Sequence, residues 1–120
     1  MSVVDLADEV IGVEFPDDAA RVVAVVKDLI TLRNAVEARL AAGAAIIDRL
    51  GVAKPMGSTT SKVVQANGAA PAAAARWLRI GTGLVGLDRT AGYFRDGFLS
   101  AEHVDAIVRG ISMYGAGWRV

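Results

Sequence analysis

The chain has 120 residues, of which 53% are hydrophobic and only 6% aromatic, and its 13 acidic and 13 basic side chains leave no net charge. That is the size of one domain with a modest core, and a core rich in alanine and poor in aromatics favours closely packed helices over sheets. Cysteine is absent, which excludes disulfides, thiol catalysis and cysteine-ligated zinc and fits a reducing, cytoplasmic setting.

In chain order, residues 2–12 read as a short amphipathic helix, with Val3, Leu6 and Val10 on one face and Gly12 as its terminator. Asp5, Asp8 and Glu9 precede the first basic residue, Arg21, the reverse of a secretory signal. Pro16, Asp17 and Asp18 open a second helix, because proline suits a first turn and carboxylates favour the positive end of the helix dipole. Its pattern runs over residues 17–50, with Gly51 just past the end. Positions 22, 26, 29, 33, 36, 40, 43, 47 and 50 alternate steps of four and three, and seven of the nine are apolar. This is a heptad-like seam with two defects, Arg33 and Gly43. Such a seam serves either as core for the later helices or as a pairing surface for a second copy of the chain.

Val52 to Gly57 reads as a linker, and Ser58-Thr59-Thr60-Ser61 supplies several N-caps for a short helix over Lys62 to Ala66 that Asn67-Gly68 ends. Pro71 starts the next helix, to about Gly86; Asp88 or Arg89 starts another, through Arg95, with Gly97 as its stop. Ser100 caps the last, to about Ser112, and the tail Met113–Val120 is expected to fray. No stretch alternates with period two. The longest uncharged run, Val63 to Ala75, is broken by Asn67, Gly68 and Pro71 and falls short of the roughly 20 apolar residues that span a bilayer. The prediction is therefore all-α: a single helical domain over residues 1–120, with one long helix, four or five shorter helices packed on it, and no membrane partner.

No catalytic constellation is visible. Gly81-Thr82-Gly83-Leu84-Val85-Gly86 matches G-x-G-x-x-G, but a dinucleotide site needs a strand before the glycines, and here Ala72 to Ile80 reads as helix. The glycines are expected instead to loosen a helix or to let two helices approach. His103 is the sole histidine; without a converging partner it is expected to bond locally near the helix start. No Ser/His/Asp set, metal-ligand spacing or cofactor motif is present.

The charge pattern carries more. Residues 1–48 hold nine acids against four bases, residues 49–87 hold five bases (Arg49, Lys54, Lys62, Arg76, Arg79) and no acid, and residues 88–120 are balanced. Either the first two segments complement each other, or the acid-free segment faces an anionic partner. The short helix, the Asn67–Ala70 turn and the helix after it have helix-turn-helix proportions, with Lys62, Arg76 and Arg79 as cationic side chains suited to phosphate and base edges. Three cations supply few phosphate contacts, so DNA binding by this face would be weak and salt-sensitive.

One segment is more specific. Ala75-Arg76-Trp77-Leu78-Arg79-Ile80-Gly81, then Leu87-Asp88-Arg89-Thr90-Ala91, then Asp96-Gly97-Phe98-Leu99-Ser100-Ala101-Glu102-His103-Val104 resembles the bacterial 13E12 repeat family. Its members carry a helical domain of unknown function (number 222) ahead of a His-Asn-His endonuclease domain. The resemblance covers about residues 17–112, and Gly97 to His103 is its most specific part. The chain departs from the family where Asp88 stands in place of proline and where Gly81 and Gly83 thin the basic face. The resemblance implies the N-terminal helical region alone, with no counterpart of the nuclease's metal ligands and hence no catalysis. Taken together with the acid-free segment, it points to an accessory nucleic-acid-binding role through Lys62, Arg76 and Arg79, flanked by Arg89 and Arg95. The alternative is a protein–protein or homodimerisation module built on the long helix.

Overall fold

A computed structural model describes residues 2–114, with side chains through Gly110; Met113 and Tyr114, expected in the frayed tail, instead continue the last helix, and the tail from Gly115 onward lies outside the described residues. These residues form six α-helices and one 3-10 turn, with no strand among them: α1 (Val3–Ile11), α2 (Ala19–Arg49), the 3-10 turn Lys54–Met56, α3 (Thr60–Ala66), α4 (Pro71–Gly83), α5 (Asp88–Arg95) and α6 (Ala101–Tyr114). The chain divides into two compact units, residues 1–30 and residues 31–120, with the boundary inside α2.

In the first unit α1 is defined by its caps. Ser2 Oγ accepts from the Asp5 N–H at 3.2 Å while Asp5 Oδ2 accepts from the Ser2 N–H at 2.9 Å. This reciprocal box satisfies two donors that a helix start leaves orphaned. No residue of α1 is buried. Asp18 accepts from the Arg21 N–H at 3.1 Å, so it sits at the cap, and α2 begins at Ala19 rather than at residue 17.

The second unit shows the same local logic. Thr59 Oγ accepts from the Lys62 N–H at 3.2 Å and starts α3, Pro71 is the first residue of α4, and Ser100 Oγ accepts from the His103 N–H at 3.1 Å at the start of α6. The Thr60 hydroxyl donates to Asp48 Oδ1 at 2.8 Å, tying α3 to the end of α2. The core is formed by Ile80, Phe94 and Val104 with Ala41, Ala101 and Val108, bordered by Ala38, Trp77, Leu84 and Leu99. The Trp77 indole N–H reaches Glu37 Oε1 at 3.3 Å, so its ring packs inward while its polar edge is satisfied.

The face of α2 that packs is not the seam of large side chains. Its buried residues are Asn34, Ala41 and Ala44, one position on from Arg33, Leu40 and Gly43, hence rotated by roughly 100°. Of the seam, Val36 is 49% exposed, Leu40 40% and Leu50 68%. The cause is Gly81. A Cβ there would collide with the Ala41 carbonyl oxygen and lie 2.9 Å from Ala45 Cβ, so α2 and α4 meet backbone to backbone. Only an alanine face permits that approach, and the dense packing it allows leaves Val36, Leu40 and Leu50 outside, while Ile47 of the seam is half-buried. The expectation that the seam supplies the core for the later helices is corrected accordingly. Gly83 likewise lets α4 close on α6, since a Cβ there would collide with the Val108 side chain. A further close approach is at the α5–α6 turn. Gly97 has φ +85°, its Cα lies against Thr31, and the Asn34 amide donates to its carbonyl at 3.2 Å.

Candidate functional site

The predicted cations do not share one free face. Arg76 and Arg79 lie three residues apart on α4 and point at α6, where Glu102, Asp105 and Arg109 share a face. Arg79 grips Asp105 with both prongs, Nε to Oδ1 at 3.0 Å and Nη2 to Oδ2 at 2.9 Å, the bidentate geometry that suits guanidinium and carboxylate. Arg109 Nε lies 3.5 Å from Asp105 Oδ2, Arg76 Nε 3.9 Å from the same atom, and Arg76 Nη1 3.7 Å from Glu102 Oε1. The Asp105 side chain is only 9% exposed, and three guanidinium groups surround it.

The electrostatics follow from that geometry. The hydrogen bonds from Arg79 hold the Asp105 carboxyl below the usual carboxylate range, against the opposing effect of burial, with Arg109 and Arg76 adding to the depression. The same contact raises Arg79. Glu102 is also lowered, first by its own backbone N–H, then by the Ser100 hydroxyl and by Arg33 and Arg76.

These contacts correct one expectation. The segment 49–87 holds no acid in sequence, yet in space Arg76 and Arg79 are answered by carboxylates of α6. The acid-free cationic face expected from the sequence does not form, because the partners lie about a quarter of the chain away. Lys62 and Arg89 are exposed and make no ion pair among the described residues. Arg95 is exposed and lies 3.7 Å from the neighbouring Asp96. Arg76 and Arg79 are thus brought together; Lys62, Arg89 and Arg95 do not join them in any described contact.

The other candidates resolve simply. Gly81 and Gly83 lie inside α4, so the G-x-G-x-x-G match meets neither the strand nor the helix N-terminus that a pyrophosphate needs. His103 Nδ1 lies 2.9 Å from Ser100 Oγ, the local contact expected of it. No group of three or more His, Cys, Asp or Glu side chains among the described residues could hold a metal ion, and none of the described helices is long and apolar enough to cross a membrane.

Sequence reading passed over Asp105 and Asn34. Asp105 had a signal: Ala101, Val104 and Val108 make an apolar stripe on α6, and Asp105 falls on it. A carboxylate on a core-facing stripe requires a cation from another element, and the arginines of the acid-free segment were available. Asn34 had no such mark, since one amide in a helix reads as surface. No protein-family model matches the sequence, and neither a curated protein nor a solved structure is significantly similar to it.

Proposed function

We propose that this chain is a non-catalytic helical interaction module that pairs with a second copy of itself along the exposed seam of α2. The observation that carries the reading is the rotation of the core onto the alanine face, which leaves Val36, Leu40 and Leu50 exposed on a neighbouring face. Apolar side chains repeated at heptad spacing are the surface on which helices pair. The occupant is argued from the seam's two defects. If two copies of α2 run antiparallel with residues 36 and 40 opposite one another, Arg33 of one copy falls opposite Gly43 of the other. The guanidinium stem then crosses a residue without a side chain, and apart from its chain neighbours and the helix's own nearby backbone nothing lies within 4 Å of where a Gly43 Cβ would be. The defects offset each other in a self-pair, as a two-fold interface requires.

Sedimentation equilibrium tests this. The wild-type chain is expected to dimerise at micromolar concentration, and Leu40→Glu to remain a monomer with unchanged helix content. A wild-type monomer at high micromolar concentration refutes the reading. Kinship with the 13E12 repeat family is likewise a proposal, resting on Gly97 to His103. An accessory nucleic-acid role is supported less by the geometry than self-pairing, because Arg76 and Arg79 are turned toward α6.

A further inference from the structure

The arginine cluster has more donors than its carboxylates use. Arg79 and Asp105 satisfy each other through two hydrogen bonds. Arg76 and Arg109 do not share in this: their approaches to Asp105 and Glu102, between 3.5 and 3.9 Å, are beyond good hydrogen-bond length for a charged pair. Arg76 Nε is buried and has no hydrogen-bond partner at all. A charged donor shut away from water without an acceptor is costly, and most such groups in folded proteins are satisfied. Three guanidinium groups face two carboxylates, so the cluster keeps a surplus positive charge, and Arg33 on α2 adds to the field at Glu102.

We infer that the α4–α6 surface at Arg76 and Arg109 binds a single phosphate-type oxyanion beside the fixed Arg79–Asp105 clamp. Each guanidinium carries five N–H donors in a planar fork matched to phosphate oxygens. The clamp holds α4 and α6 in register, so the two forks are presented from rigid helices rather than from loops. Glu102 is the counterweight. Its carboxylate competes for Arg76, but its side chain is 57% exposed and can turn to water when an anion arrives. The same chemistry is offered by free phosphate and by a phosphate of a nucleic-acid backbone. A point site of this kind differs from the broad cationic face that the sequence suggested, and it does not depend on self-pairing.

The test is an NMR titration following arginine Nε–H signals, with inorganic phosphate as probe and sodium chloride at matched ionic strength as reference. The Arg76 signal is expected to shift saturably with phosphate and not with chloride. Arg109→Gln, a change on a well-exposed side chain, should weaken binding roughly ten-fold, the loss of about one charge-assisted contact. Glu102→Gln should tighten it, a response that a purely structural role for the cluster would not produce. A duplex oligonucleotide that displaces phosphate from the Arg76 signal identifies a backbone phosphate as the source; one that does not identifies a free phosphate compound. Shifts that follow ionic strength alone, or an affinity indifferent to Arg109→Gln and Glu102→Gln, overturn the inference. Self-association is read separately by sedimentation, so either conclusion fails without the other.

Discussion

Replacing Asp105 with asparagine removes one charge and almost no volume. The amide keeps one acceptor oxygen for Arg79 but turns an NH2 group toward it, so at least one charge-assisted hydrogen bond is lost, a contribution of about 1.5–3 kcal/mol. Arg76, Arg79 and Arg109, all within 4.0 Å of the aspartate carboxylate, then face one another without a central anion. That repulsion is discounted because their side chains are 30%, 39% and 61% exposed and can move into water. The expected cost at pH 7 is about 2–3 kcal/mol, or roughly 10 °C in Tm for a chain of this size. The pH dependence separates charge from packing. Asp105 has a folded pKa below its unfolded value of about 4, so its contribution is complete above that value and drains away as pH falls through the folded pKa. The gap between wild type and Asp105→Asn is therefore constant from about pH 5 to 7 and narrows below about pH 4. Urea unfolding followed by circular dichroism measures it, at one protein concentration and in phosphate-free buffer so that association and anion binding do not enter. A loss under about 0.5 kcal/mol at pH 7, or acid limbs that stay parallel, would show that the cluster does not hold α4 to α6.

Three further predictions concern packing. Gly81→Ala gains about 1 kcal/mol of helix propensity but drives a Cβ into the Ala41 carbonyl, so thermal melts should show a net loss of about 2 kcal/mol or more. Gly43→Ala, which meets nothing within 4 Å, should stabilise the Leu40→Glu monomer by up to about 1 kcal/mol; the opposite signs of the two glycine changes test the helix contact itself. Asn34→Ala leaves the Gly97 carbonyl without its donor and should cost about 1–2 kcal/mol by urea titration, with faster amide exchange at the α5–α6 turn.

What the amino-acid sequence settled is the set of helices and where they start, with the ends of α4 and α6 falling at Gly83 and Tyr114 rather than at the expected Gly86 and Ser112. Ser2, Asp18, Thr59 and Ser100 cap the helices that follow them, Pro71 opens α4, and Gly51, Gly68 and Gly97 take up positive φ where the chain turns. All of these act over four residues or fewer, within reach of hydrogen bonds and sterics between near neighbours. The tertiary structure alone decided which face of α2 is inside and which acid meets which arginine. Spacing of large apolar residues points to the Val36–Leu40 seam, but the depth of contact is set by how closely two backbones approach, and a glycine against an alanine face lets them approach furthest. Arg79 meets Asp105 across 26 residues and Trp77 meets Glu37 across 40. Pairings at that separation depend on how the helices stack, so the charge of a segment read along the chain does not give the charge of the surface it makes.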